Sequence, residues 1–377
     1  MSMPLARIID RFASRRVLVL GDAMLDSYVV GSSTRLCQEA PVPVVAVHER
    51  RDCPGGAANT AVNLAALGCT VGLVSAIGAD HEGDRLLDLL RRHGVGTSLV
   101  TVSTERQTLS KQRIVNGDRL LARIDQGDTG PVPPHLERRL LERLEAELVR
   151  ADALVISDYG YGVVTAGLLR RLRSWQARSQ QLFAVDARDL TRYRPIGVTV
   201  VKPNYGEALR LVGQEERDGP PRAELAAGLA DAVLELTGSA IAAITLDADG
   251  ALVAERGRRP HRTYADPAEQ SRTAGAGDTY LAALTLALAA GATTRQAAEI
   301  AACAAGVVVR RDGTSACTAD ELRRALRTAR ALWPVSKLPS PAHHGPGEPV
   351  PFEERDGNRP GHRANVGERR TPALHQA

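Results

Sequence analysis

The sequence predicts an α/β protein: a mostly parallel central sheet flanked by helices, with a small separate β-sheet as a lid. Three observations carry that expectation. Short apolar runs such as "RRVLVLGD" (15–22), "TVGLVSAIGAD" (70–80), "ADALVISDYG" (151–160), "QLFAVDAR" (181–188) and "GVTVVKPN" (197–204) alternate with segments of helical periodicity, the pattern of parallel strands covered on both faces. Two strand groups near 27–50 and 98–125 break that rhythm by alternating apolar and polar residues, as a half-exposed sheet does. Finally, 377 residues with 44% apolar and 24% charged content supply a large soluble core.

Each element follows from local chemistry. A short amphipathic helix precedes the first strand. "GGAANTAVNLAALG" (55–68) opens on two glycines, carries apolar residues at helical spacing and stops at Gly68. Residues 81–95 read as a helix with a glycine stop, and Asn116, Gly117 and Asp118 mark a hairpin turn. Helices follow at about 134–150, 164–179, 205–212 and 222–237. "AIAAITLDADGALVA" reads as a strand pair, and 277–290 and 294–309 as helices. From 334 to 377 Pro, Gly, Arg and His replace aliphatic residues, the composition of a disordered tail, so the folded domain is expected to span 1–333.

Composition excludes several classes. The net charge is only +4, with no basic block interleaved with aromatics, which argues against a nucleic-acid partner. No run approaches the length of a membrane span and no apolar signal core is present. The five cysteines are scattered without CxxC spacing, which fits a reduced, cytoplasmic setting better than a disulfide framework or zinc site. Arginine greatly outnumbers lysine: the lysines are Lys111, Lys202 and Lys337.

Four stretches point to chemistry. In "SRTAGAGDTYLAAL" (271–284), Gly275, Ala276 and Gly277 bring bare backbone N–H groups to a helix mouth, where anions bind. Asp278 stands beside them, placed to take a proton from an attacking hydroxyl. Gly55 and Gly56 ahead of Asn59 suit a backbone-and-amide grip on a polyol. In "GDAMLD", Asp22 and Asp26 leave the carboxyl end of the first strand, where open α/β sheets bind ligands. In "KPNYGEA", Asn204 and Glu207 sit three apart near an expected Mg²⁺–phosphate, or else form an ordinary N-cap pair. The chain contains no Gly-Lys pair and so no Walker A loop.

Taken in order, "GGAANTAVNLAALG", the PN-x-x-E element and "AGAGDTYLAAL" resemble the PfkB/ribokinase family of sugar kinases over about 15–330. Within it, "EAPVPV", "SDYGYGVVT" and "AAGVVVRRDGTSACTADEL" are most similar to the branch acting on heptose 7-phosphate, and to its kinase half alone. The resemblance implies a ribokinase-like fold, ATP and Mg²⁺ as cofactors, and transfer of the γ-phosphoryl group to a sugar phosphate hydroxyl. It implies Asp278 as base and the N–H groups of Ala276 and Gly277 as anion hole, with Gly275 beside them in the catalytic loop. Asp26, Gly55, Gly56, Asn59 and Asp158 are then sugar contacts, with Lys111, Arg113 and Arg123 facing the substrate's charge. Lys202, Asn204, Glu207, Asp247, Gly250 and Thr279 fall to the nucleotide, Asn204 and Glu207 holding Mg²⁺ through water. A homodimer through the lid is implied as well.

Two departures bear on specificity. Tyr161 stands where the branch carries a lysine. Arg272 stands where the family commonly carries an aspartate near a monovalent-cation site, so the resemblance implies either a guanidinium in place of K⁺ or a cation site lost without replacement. The alternatives are a kinase for another sugar and a non-catalytic sugar sensor, the latter disfavoured because a sensor needs no base at 278. A dehydrogenase is weaker still, because the first strand leads into "GDAMLD" and not a glycine-rich turn.

Overall fold

The computed structural model describes residues 3–117, 119–216, 222–264, 275–311 and 315–332; the predicted tail at 334–377 and Arg272 lie outside them. In chain order, α1 (Leu5–Asp10) and β1 (Arg16–Gly21) lead into two long strands, β2 (Ala23–Leu36) and β3 (Pro43–Gly56). Then come α2 (Ala57–Ala66), β4 (Thr70–Gly78), α3 (His81–Arg92), β5 (Val100–Ser103), β6 (Leu109–Asn116) and β7 (Arg119–Gln126). The middle of the chain forms α4 (Pro134–Leu148), β8 (Ala153–Asp158), α5 (Ala166–Ser179), β9 (Leu182–Ala187), β10 (Val200–Val201) and α6 (Tyr205–Leu211). The rest forms α7 (Arg222–Thr237), β11 (Ile241–Thr245), β12 (Ala251–Glu255), β13 (His261–Thr263), α8 (Ala276–Ala289), α9 (Thr294–Val309) and α10 (Ala319–Leu332).

Among the described residues the strands fall into two sheets. The larger runs β13-β12-β11-β10-β9-β8-β1-β4-β5, all its pairings parallel except those of β12, which is antiparallel to both β11 and the edge strand β13. Alternate residues of β1 feed opposite faces. Val17 and Val19 join a core with α1, α2, α3, α8, α9 and α10, and Leu18 and Leu20 join one with α4, α5, α6 and α7. Burying each such side chain is worth about 1.5–3 kcal/mol, which makes two-faced coverage of the sheet the dominant stabilising element. Beyond its polar first turn α8 is largely apolar all round, and it is buried over most of its length against α2 and α9.

The smaller sheet runs β3-β2-β6-β7. β2 is antiparallel to β3 and parallel to β6, and β6 is antiparallel to β7 with Asn116 opposite Arg119; Asp118 of the expected hairpin turn lies outside the described residues. This is the expected lid, with two corrections. Val100–Ser103 was expected in the lid, yet pairs in parallel with β4 in the main sheet, because Val100, Thr101 and Ser103 are buried there. Gly55 and Gly56 were expected to open a helix, yet they end β3, paired with Met24 and Ala23. Gly56 then caps α2 at φ 58°, where a Cβ would lie 2.4 Å from the Asp22 carbonyl oxygen. Among the described residues no helix is long and apolar enough to cross a membrane.

Candidate active site

The parallel strands end on polar groups at one edge of the sheet. β1 leads to Asp22, β8 to Asp158 and Tyr159, β9 to Asp186, and β10 to Lys202 and Asn204. Above this edge α8 begins at Gly275, whose φ of 100° turns the chain into the helix without a side-chain cap. The first intrahelical bond of that turn is Thr279 N–H to the Gly275 carbonyl, at 3.1 Å. The N–H groups of Ala276 and Gly277 therefore have no partner within the helix. A Cβ on Gly277 would stand 3.2 Å from Lys202 Nζ, so the bare glycine lets that ammonium reach the helix mouth.

Asp278, in the first turn of α8, is held by α2. Asn59 Nδ2 donates to its Oδ2 at 2.6 Å, and Thr60 Oγ1 to its Oδ1 at 3.4 Å. Asn63, one turn beyond Asn59, donates to Asn59 Oδ1 at 3.1 Å and accepts from Thr279 Oγ1 at 2.6 Å. Residues 59, 60 and 63 share one helix face, so helical spacing alone aligns all three with the head of α8. Burial, with the nearby charge of Asp186, pushes the Asp278 carboxyl up to about 6, against the lowering effect of Asn59, Lys202 and Thr60. Lys202 is buried and pairs with Asp186 at 3.0 Å, and that carboxylate holds its ammonium in the charged form despite burial.

The lid supplies the opposite wall. Asp26, Lys111 and Arg113 line a cavity of about 180 Å³ together with Gly55, Gly56, Asn59, Tyr159, Gly275 and Asp278. Arg113 donates to Asp26 Oδ1 at 2.8 Å and stacks 5.2 Å over the Tyr28 ring. Lys111 Nζ lies 5.8 Å from the Tyr159 ring centroid and 5.1 Å from that of Tyr161, within cation–π range. A Cβ on Gly55 would collide with Asp26 Oδ2 at 2.4 Å, so glycine there gives the carboxylate its seat.

Other expected site residues stand apart from this cavity. Arg123 is exposed on β7 and paired with Asp125. Asp158 is buried with its carboxylate taken up by Arg192, Tyr193 and the Gly160 N–H. The Thr279 hydroxyl faces Asn63 inside the helix pair. Asn204 and Glu207 form a capping box on α6, each bond 2.8 Å, beside the bridge of Asn204 to Thr245. Asp247 and Gly250 flank the turn after β11, where Asp247 pairs with Arg222. Asp22 is not among the residues lining the cavity and accepts N–H bonds from Tyr161 and Val163. Three contributors went unsuspected. Tyr159 lines the cavity and reaches Asp278, Asp186 pairs with Lys202, and buried Arg106 donates to the Tyr161 carbonyl at 2.7 Å. The rule that ligands gather at strand carboxyl ends was the signal for the first two; Arg106 left none.

A buried carboxylate at a glycine-led helix mouth, under a β-sheet cover, makes a site suited to proton transfer beside an anion. A family model described as pfkB family carbohydrate kinase matches residues 14–321, and the chain belongs to that family. It is 39% identical over 321 residues to a bifunctional HldE protein of Caulobacter sp. strain K31, covering 84% of this chain and 64% of the relative. A bifunctional HldE protein of Desulfatibacillum aliphaticivorans is 34% identical over 319 residues, 85% of this chain and 64% of the relative. The chain thus spans just under two thirds of the length of these relatives. Among solved structures, phosphofructokinase-2 from Escherichia coli in complex with potassium superposes with a TM-score of 0.68 at 21% identity, covering 83% of this chain and 98% of that one. Arabidopsis thaliana ribokinase complexed with ribose and ATP gives 0.66 at 19%, with the same coverage.

Proposed function

We propose that this sugar kinase transfers the γ-phosphoryl group of ATP to a hydroxyl of a sugar phosphate, and that the sugar is D-glycero-β-D-manno-heptose 7-phosphate, giving the 1,7-bisphosphate. The observation that carries the reading is Asp278. A buried carboxyl lifted to about 6 at a helix mouth, facing a cavity with Lys111 and Arg113 on the far wall, suits a base acting on an anionic sugar. Asp278 takes the proton of the sugar hydroxyl as its oxygen bonds to the γ-phosphorus and the bond to ADP breaks. The N–H groups of Ala276 and Gly277 take up charge on the transferring group, as oriented donors at a helix mouth do. Asp26 and Asn59 orient the sugar, while Lys111 and Arg113 meet its phosphate.

The kinase relatives, including the ribokinase solved with ATP, support ATP as donor. Asn204 and Glu207 would hold Mg²⁺ only through its waters, since their capping box already engages Asn204 Oδ1 and Glu207 Oε2, and a hard ion that keeps most of its water suits such outer contacts. When bound, Mg²⁺ supplies neutralisation of phosphate charge. Asp247 and Gly250, at the turn after the neighbouring strand, belong with Lys202 to the nucleotide side. The lid leaves Leu36, Val47, Leu120 and Ile124 exposed, apolar area that supports a homodimer through the lid.

The test is a coupled assay of the purified chain with ATP and Mg²⁺ against heptose 7-phosphates, hexose phosphates, free pentoses and nucleosides, with the product identified by phosphorus NMR. The heptose 7-phosphate is expected to lead in kcat/KM by about tenfold or more. Preference for another sugar overturns the substrate assignment. No transfer to any sugar overturns the reaction and favours a sugar sensor.

A further inference from the structure

The two oxygens of Asp278 are bonded unequally. Oδ2 takes the short bond from Asn59 at 2.6 Å, whereas Oδ1 has two long ones, from Thr60 Oγ1 and the Tyr159 hydroxyl, each 3.4 Å. Thr60 is fully buried in α2, and Tyr159 lines the cavity. Oδ1 is therefore the oxygen with acceptor capacity to spare, and the phenol is its donor on the open side.

The segment carrying Tyr159 is held from three directions. Asp22 accepts the Tyr161 and Val163 N–H groups, and Arg106 donates to the carbonyls of Tyr161, Asp128 and Gly130. Lys111 lies over the Tyr159 ring. The charge of Asp278, aided by burial, raises the phenol well above its ordinary value, so Tyr159 keeps its proton and stays a donor.

Resting on the reading of Asp278 as base, we infer that Tyr159 is a positioning residue whose hydroxyl holds Oδ1 toward the cavity as the proton-accepting oxygen until the sugar hydroxyl replaces it. Protons balance without the phenol: the sugar hydroxyl's proton ends on Oδ1, and Tyr159 neither gains nor loses one. The other groups facing Asp278 are Asp186 from β9, Lys202 after β10 and Asn59 and Thr60 from α2, with Asp26 and Lys111 on the lid side of the cavity.

Tyr159→Phe keeps the ring, and with it the Lys111 contact, and removes only the hydroxyl. Loss of a donor to the charged form raises a carboxyl, so the acidic limb of the kcat/KM profile is expected to move up by about half to one pH unit. Because the phenol makes no lasting bond to substrate, KM is expected to hold within about twofold and the rate at pH 8.5 within about threefold. An acidic limb superposing on the wild type, or a loss equal at every pH, overturns the inference. A second readout needs no turnover: carbon NMR titration of the Asp278 carboxyl, assigned by its absence in Asp278→Asn. An upward shift in Tyr159→Phe supports the role, and an unchanged titration overturns it. If no sugar phosphate is turned over, the proposed reaction fails, while this titration still decides the role of Tyr159.

Discussion

The floor and the cover of the cleft are built on opposite terms. On the floor, where α2 meets α8, Asn59, Thr60, Asn63, Asp278 and Thr279 are all 6% exposed or less, and each is hydrogen-bonded to another of the five. In the cover, the Arg113 side chain is 20% exposed, and exposed pairs such as Arg123–Asp125 and Arg51–Glu49 decorate the strands. Exposed pairs of this kind add about 0–1 kcal/mol each. The difference teaches where each kind of change is tolerated. The groups proposed to handle the proton are fixed by packing, whereas the lid's basic groups, proposed to meet the substrate phosphate, sit nearer solvent, where a side chain is exchanged at less cost to the fold.

The largest break in that comparison comes from the floor. Asp278→Asn is expected to lower kcat by about 10²–10⁴-fold while leaving sugar phosphate binding by calorimetry within about threefold. The same substitution probes stability. The carboxyl titrates near 3.8 when unfolded and about 6 when folded, so between those values the folded chain holds a proton that the unfolded chain has lost. Stability from this group therefore falls as pH rises through that window, and above it the buried carboxylate costs up to about 3 kcal/mol. At pH 8, Asp278→Asn should melt about 2–4 °C higher than the wild type, and wild-type turnover should decline as pH falls through about 6. Equal melting temperatures would mean that Lys202 and Asn59 offset the burial completely.

An intermediate effect is expected from the inner face of the cover. Arg113→Ala removes a charged partner for the substrate phosphate, and KM for the sugar phosphate should rise about 10–100-fold with kcat within about threefold. A fall in kcat without a change in KM would move Arg113 from binding to chemistry. The smallest effect belongs to the outer face: Arg123 is 55% exposed and already paired with Asp125, so Arg123→Ala should change KM by less than about twofold. A larger change would bring that strand into the site and erase the distinction between inner and outer lid.

Much of this was legible in the residues. Alternating apolar strands and helices predicted the sheet, because burial on both faces demands continuous apolar runs. Asn59 was readable as a site residue on α2, and the mouth of α8 from its glycines, whereas Thr60 and Asn63 emerged only from their bonds in the structure. Asn204 and Glu207 made the N-cap pair that their spacing allowed. The misplacement of Val100–Ser103 has a clear cause: four residues carry too little periodicity to tell a lid strand from an edge strand of the main sheet.

By itself the sequence determined most of the strands and helices and their order, and the glycine-led mouth of α8, since these depend on spacing within a few residues. Only the tertiary structure decided which polar groups converge. Tyr159 reaches Asp278 across 119 positions and Asn59 reaches it across 219, while Asp158, one residue before Tyr159, turns inward to Arg192 and Tyr193. Successive residues leaving a strand point to opposite sides, so neighbours in sequence part company in space. Which one enters the cleft is settled by the helices and loops packed against each face.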